Sequence, residues 1–311
     1  MNTPSKKILI TGGTGFIGQH LIDQWLSSGH RITLFARNPE RALQQFGNRI
    51  SATKDLNTLT DKYDWLINLA GEPIADKRWS NKRKRELYES RISLTEKLVL
   101  WAKQSNQLFE SVLTGSAIGY YGSNLANSLI NEDHRSGHDF SAKLCSDWER
   151  SAKPLEKMSE HFCILRTGIV LGKNGGMLKK LILPFSLGLG GKIASGKQGL
   201  SWIHIDDYMN AVNFILQNKI NGPVNMTAPN PVSQAEFCRT LASSLKRPAL
   251  FPMPDFVAKL IFGEMNELLT QGQYVIPSQL QHHQFEFHHR HIARALKDLT
   301  SNVSKKLITS H

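Results

Sequence analysis

The first chemical signal is a set of three glycines. Gly12, Gly15 and Gly18 recur at every third residue within Thr11-Gly-Gly-Thr-Gly-Phe-Ile-Gly18. An apolar run, Lys7–Ile10, enters this segment, and a run with helical spacing, Phe16–Leu26, leaves it. Each glycine then has a physical task. Gly12 permits a tight strand-to-helix turn, Gly15 lets an anion approach the backbone, and Gly18 lets the helix pack closely. Thr14, Gly15, Phe16 and Ile17 stand where the unpaired N–H groups and the dipole of a helix start favour a pyrophosphate. The pattern predicts a dinucleotide cradle.

The residues after the second apolar run refine this. Arg31–Ala36 (RITLFA) is followed by Arg37, with Arg41 close behind. A fold that selects NAD places Asp or Glu here, to hold the ribose 2′-hydroxyl. A carboxylate would repel a 2′-phosphate, whereas a guanidinium pairs with it through two hydrogen bonds. Arg37 therefore points to NADP(H).

These residues must be positioned by strands and helices in alternation. Trp65–Ala70, Ser111–Thr114, Cys163–Arg166 and Gly222–Thr227 read as further strands. Helical spacing runs through Ser80–Gln104, Ser141–Met158, Asp207–Gln217 and Ser233–Leu245. The expectation is an α/β fold: a Rossmann-type, doubly wound parallel sheet with a smaller C-terminal substrate lobe. The expected division assigns 1–171 plus 201–227 to the NADP-binding domain, and 172–200 plus 228–305 to the smaller one. Glycines cluster at 175–199, as expected of loops near a ligand.

Composition excludes several classes. The 311 residues are 40% hydrophobic and 21% charged, ordinary for a globular chain and unlike a disordered one. No apolar stretch approaches the roughly 20 residues of a membrane span, and the N-terminus does not read as a signal peptide. Cys145, Cys163 and Cys238 have no paired spacing, which suggests free thiols and a cytoplasmic setting. The net charge of +12 is densest over Lys77–Arg91, read as a solvated helix face. No RNA-binding motif accompanies it, so a nucleic-acid partner is not expected. Five histidines at 282–291 flank Phe285 and Phe287, which alternate as in a surface strand. No metal site is expected there, and His204 reads as structural.

Several segments together resemble the extended short-chain dehydrogenase/reductase superfamily. These are the TGGTGFIG turn, Asn68-Leu-Ala-Gly71 and Trp202-Ile-His-Ile-Asp-Asp207. Others are similar to its atypical epimerase family branch, the YfcH-like group. They are Gly71-Glu-Pro-Ile74, Arg78-Trp79, Ser90-Arg91, Ser116-Ala-Ile-Gly-Tyr-Tyr-Gly122, Asp147-Trp-Glu149, Arg166-Thr-Gly168 and Leu171-Gly172. The segment from about Phe251 to Leu299 resembles that group's small terminal domain. The resemblance implies that Asp55 meets the adenine and that Leu69, Ala70 and Gly71 line the adenosine ribose. It places Ser116 with Tyr120 or Tyr121 beside the nicotinamide, and Arg166 to Ile169 following the strand beneath the nicotinamide carboxamide. Packing alone could also account for Leu69-Ala70-Gly71, and an aspartate N-cap for the Trp202–Asp207 segment.

The superfamily's Tyr-x-x-x-Lys pair is missing. The residues four positions after the six tyrosines are Ile67, Ile92, Asn124, Leu125, Val212 and Ser278. Alignment on Glu149 puts Ser141 and Cys145 in the place of the pair. A shift of one puts Phe140 and Leu144 there. The expected activity is an oxidoreductase or epimerase/dehydratase on a small molecule. Ser116, Tyr120 and Tyr121 would be its hydroxyls. The alternative is a non-catalytic NADP(H)-binding redox sensor or interaction protein. The substrate is not legible, and an oligomer is left open. Gly15→Val is expected to abolish NADPH binding in calorimetry while the variant still unfolds cooperatively, because a branched side chain would fill the space for the pyrophosphate.

Overall fold

Six apolar runs and one short edge segment become the strands of one sheet. They are Lys7–Thr11 (β1), Arg31–Phe35 (β2), Ser51–Thr53 (β3), Trp65–Asn68 (β4), Phe109–Ala117 (β5), Ser159–Thr167 (β6) and Gly222–Met226 (β7). This computed structural model describes residues 4–123, 128–173 and 175–308. The strand order is β7-β6-β5-β4-β1-β2-β3, and every neighbouring pair is parallel. Parallel sheets carry helices on both faces, so their strands are apolar on both sides. Ile8, Leu9 and Ile10 are all fully buried. Ile8 and Ile10 join one apolar core and Leu9 another, as the two-residue strand period requires.

The order reverses at β1, since the chain runs outward through β2 and β3 and then restarts at β4 on the other side. The crevice beyond the carboxyl ends of β1 and β4 is therefore the topological switch point, where open sheets bind ligands. This is the expected Rossmann-type architecture. Helix α1 (Phe16–Ser27) follows β1, and α2 (Pro39–Phe46) follows β2.

The long helix expected over Ser80–Gln104 is interrupted. It consists of α3 (Asn81–Tyr88), a π-helical turn at Glu89–Ser93 and α4 (Leu94–Gln104). Ser80 starts it, its Oγ accepting from Arg83 N at 3.1 Å. The wide turn presents Ser90 and Arg91 to the loop after β4. Glu72 N donates to Ser90 Oγ at 3.0 Å, and Arg91 Nη2 donates to Glu72 O at 2.9 Å. Such bulges often occur at functional positions.

Helix α5 (Phe140–Ala152) is capped by Asp139 and tightens into 3₁₀ turns over Lys153–Met158. Pro154 cannot donate to a continuing α-helix, which accounts for the change. Beyond β6 come α6 (Gly176–Ser186), α7 (Ile205–Gln217) and α8 (Gln234–Ser244). A separate apolar core forms there from Leu171, Leu178, Phe185, Trp202, Phe237 and Leu296. It joins the short strand pair Ile169–Gly172 and Trp202–His204 to α8 and the last helix, Ile292–Ile308.

Two local expectations are corrected. The cap of α7 is His204, not an aspartate, with its Nδ1 accepting from Asp206 N at 3.1 Å. The carboxylate of Asp207 is fully buried and accepts from His288 N at 2.9 Å and His289 N at 2.8 Å. The histidine-rich segment forms no strand among its described residues. A short helix at Ser278–His282 gives way to turns, with Phe285 half-buried and Phe287 buried. His289 stacks on buried His204 with ring centroids 3.8 Å apart.

Asp207 therefore pins the segment leading to the last helix onto α7. Asp207→Ala leaves two backbone donors without partners and is expected to cost about 2–4 kcal/mol. Chemical denaturation should show this loss, and limited proteolysis should show faster cutting near His288.

Candidate functional site

The cradle is built by close contact of backbones. Gly12 has φ +70°, and a Cβ there would lie 2.6 Å from the carbonyl of Leu69. A Cβ on Gly18 would lie 2.4 Å from Gly12 O. The turn from β1 into α1 is thus pressed against both its own helix and the loop after β4. Thr14 and Gly15 are exposed at the helix start, and no side chain caps α1. Phe16 turns its ring towards α6 and fills the space that side chains at Gly172 and Gly175 would need. Ile17 is half-buried and packs on the core beside it.

A buried polar chain holds the two strand ends at one height. Thr11 Oγ1 donates to Asn68 Oδ1 at 2.7 Å, and Asn68 Nδ2 donates to Thr95 Oγ1 at 2.9 Å. Ala70 N donates to Thr11 Oγ1 at 3.2 Å. Leu69 and Ala70 are half-buried and Gly71 is exposed, so this loop forms a wall of the crevice.

Arg37 extends from the end of β2 with 85% of its side chain exposed, and its Nη1 lies 2.6 Å from Glu72 Oε1. Arg41 is exposed one helical turn later. Asp55 lies two residues beyond β3, with Oδ1 accepting from Asn57 N at 2.9 Å. Glu72 had no role in the sequence reading, although it belongs to the Gly71-Glu-Pro-Ile74 match. Burial opposes its charge, but the hydrogen bonds from Arg37 and Arg83 win and hold its carboxyl below the usual range.

The carboxyl ends of β5 and β6 carry a second, mostly buried network. Arg166 grips Glu149 with two bonds, Nε to Oε1 at 2.9 Å and Nη2 to Oε2 at 3.0 Å. Ser116 Oγ donates to Glu149 Oε1 at 2.7 Å. Tyr121 donates its hydroxyl proton to Asn225 Oδ1 at 2.6 Å and accepts from Arg166 Nη1 at 3.1 Å. The guanidinium of Arg166 is thus engaged on every side. It also stacks on Tyr120, 3.6 Å from the ring centroid. Burial would weaken its charge, but Glu149 outweighs burial and pushes the guanidinium pKa up. Burial lifts the Tyr121 phenol to about 12, against the pull of Arg166, so it stays protonated at neutral pH.

Ser116, Tyr120, Tyr121 and Arg166 are therefore brought together. Glu149 and Asn225, which orient them, had no assigned role in the sequence reading. The signals for Glu149 were the Asp147-Trp-Glu149 match and its use in aligning α5. The open choice on α5 is also resolved. A side chain at Gly119 would meet Ser141 Cβ at 3.4 Å and Cys145 Sγ at 3.6 Å, so these two face the loop after β5. Phe140 instead packs on Trp79, with ring centroids 4.9 Å apart. Burial pushes the Cys145 thiol up to about 12. It stays neutral and cannot take the place of an ammonium.

Comparisons with known proteins identify the family. Residues 8–227 match the NAD dependent epimerase/dehydratase family, and 253–299 match a domain of unknown function, DUF1731. Epimerase family protein Mb2239 of Mycobacterium bovis is 37% identical, over 93% of this chain and 96% of its own. The chloroplastic SDR39U1 homolog of Arabidopsis thaliana is 36% identical, over 93% of this chain and 85% of its own. A crystal structure of human epimerase family protein SDR39U1 (isoform 2) with NADPH superposes with a TM-score of 0.86 at 31% identity. It covers 95% of this chain and 99% of the human one. The chain belongs to the NAD-dependent epimerase/dehydratase family, as an atypical extended short-chain dehydrogenase/reductase of the epimerase family protein type.

Proposed function

We propose that the protein is an NADP(H)-dependent oxidoreductase or epimerase/dehydratase acting on a small molecule. One observation carries the cofactor choice: a basic residue, Arg37, stands at the end of β2 beside a glycine turn with no room for side chains at Gly12 and Gly18. The human relative's structure with NADPH supports it. Gly12, Thr14, Gly15, Phe16 and Ile17 would hold the pyrophosphate, and Arg37 the 2′-phosphate. Asp55 would meet the adenine, with Leu69, Ala70 and Gly71 along its ribose. When bound, the nicotinamide supplies reversible hydride transfer.

The substrate would lie between the domain of 1–171 with 201–227 and the lobe of 172–200 with 228–305. Ser116 and Tyr120 would be the hydroxyls that act on the substrate. Ser116 Oγ gives its proton to the Glu149 carboxylate, which orients its lone pairs to accept from a substrate hydroxyl. Tyr121 serves the same site by fixing Arg166 through its hydroxyl. Among the described residues no helix is long and apolar enough to cross a membrane, and the three buried free thiols fit a reducing cytosol.

A second reading has its own support. Ser141 and Cys145, which alignment on Glu149 puts in the place of the usual Tyr and Lys, face the loop after β5 and supply neither group, and the Tyr121 hydroxyl is already engaged. This arrangement suits a protein that binds NADP(H) without turnover.

NADPH is expected to bind at least about tenfold more tightly than NADH, a difference of about 1.4 kcal/mol. Titration by nicotinamide fluorescence measures this, and Arg37→Asp should invert the order. A substrate screen with NADPH tests the chemistry. Ser116→Ala and Tyr120→Phe should each lower kcat on any hit by about 10²-fold or more while NADPH affinity stays within about threefold. Full turnover in both variants would place the proton donor elsewhere. Saturable NADPH binding with no turnover across the screen would favour the second reading.

A further inference from the structure

The ribose end of the crevice contains an acid as well as a base. Glu72 does not come from the end of β2, where an NAD-selecting acid would stand. It comes from the loop after β4, on the opposite side of β1. Arg37 and Glu72 thus reach towards each other across the carboxyl end of the strand that carries the glycine turn, and meet at 2.6 Å.

The two partners are held very differently. Arg37 is anchored only by its own backbone and is almost wholly exposed. Glu72 is fixed at three points. Its N–H donates to Ser90, its carbonyl accepts from Arg91, and its Oε2 accepts from Arg83 Nη1 at 3.2 Å. Arg83 is itself 5% exposed and is tied to Glu86 Oε2 at 2.9 Å and Pro73 O at 2.7 Å. The carboxylate is therefore a fixed negative charge and the guanidinium an exposed positive one. A 2′-phosphate on Arg37 would share that guanidinium with Glu72 and feel its repulsion.

We propose that Glu72 is a specificity-determining residue: it occupies Arg37 as a built-in counter-ion that a 2′-phosphate must displace, and so tempers the preference for NADP(H) over NAD(H). The proposal rests on the reading of Arg37 as the 2′-phosphate ligand. Glu72 spares Arg37 an unpaired charge when no phosphate is present. It weakens phosphate binding by competing for the same guanidinium, while NAD(H), having no 2′-phosphate, meets no such competition.

The test is equilibrium binding of NADPH and NADH by nicotinamide fluorescence, on the full chain. Glu72→Gln removes the charge and keeps the shape. It should tighten NADPH by about threefold or more and change NADH by less than about twofold, so that the ratio of the two rises. Arg83 keeps Glu86 and Pro73 O in this variant, and thermal unfolding checks that it folds. Glu72→Asp keeps the charge beside Arg83 but draws it back from Arg37, and should shift NADPH in the same direction by a smaller factor. NADPH affinity that is unchanged or weaker in a folded Glu72→Gln protein would overturn the proposal, because Glu72 would then be holding Arg37 in place for the phosphate. A separate outcome tests the underlying reading. If the unaltered protein binds both cofactors equally and Arg37→Ala affects neither, the assignment of Arg37 fails, and the role of Glu72 with it.

Discussion

The site depends on one buried ion pair. Arg166 and Glu149 meet through two hydrogen bonds, with side chains only 5% and 11% exposed. The pair joins the end of β6 to α5, and the neighbouring polar groups take their orientation from it. Ser116 donates to the carboxylate, Tyr121 accepts from the guanidinium, and Tyr120 stacks on its face. Taking two charges out of water is costly, and well-packed apolar residues would often hold two elements together as firmly. An apolar pair, however, could not orient hydroxyls. The pair also explains how Ser116 can sit 4% exposed at the end of an interior strand, because its proton has a carboxylate to go to.

The crevice beyond β1 and β4 follows a similar principle with weaker restraint. The densest basic stretch, Lys77–Arg91, is not simply a solvated face. Lys77, Arg78, Lys82 and Arg85 are exposed, but Arg83 is buried between Glu72 and Glu86. Arg91 lies 5.2 Å over the ring of Trp148 and holds the carbonyl of Glu72. Burial lowers the pKa of Arg91, which has no direct carboxylate partner among the described residues. This part of the excess positive charge therefore shapes the loop after β4. The π-helical turn at Glu89–Ser93 brings Ser90 and Arg91 to that loop, which an uninterrupted helix would have presented in a different phase.

Much of this was legible from residue types. The apolar runs at 7–10, 31–36, 65–70, 111–114, 163–166 and 222–227 all lie in the seven-stranded sheet or overrun it by one or two residues. The third strand, Ser51–Thr53, was not announced by an apolar run, because it is a three-residue edge strand with no buried position. The histidine-rich segment misled, since two phenylalanines at alternate positions suit a turn that buries one ring just as well as a strand. The aspartates after His204 looked like caps by type. The backbone instead used the imidazole as the cap and spent Asp207 on a segment eighty residues away.

By itself the sequence determined what depends on near neighbours. The turn at Gly12–Gly18, the helix it opens, the alternation of strands and helices, and the absence of Tyr-x-x-x-Lys are all set by residues within a few positions of one another. Periodicity and turn chemistry are local properties of the chain, and so can be read from it. Tertiary structure alone decided which polar groups satisfy which. Ser116 finds Glu149 33 residues away, Arg37 finds Glu72 from another strand end, and Tyr121 finds Asn225 104 residues away. A buried donor must have an acceptor, but its own type and spacing do not say which distant residue supplies one. That choice is made only when the sheet has brought the strand ends together.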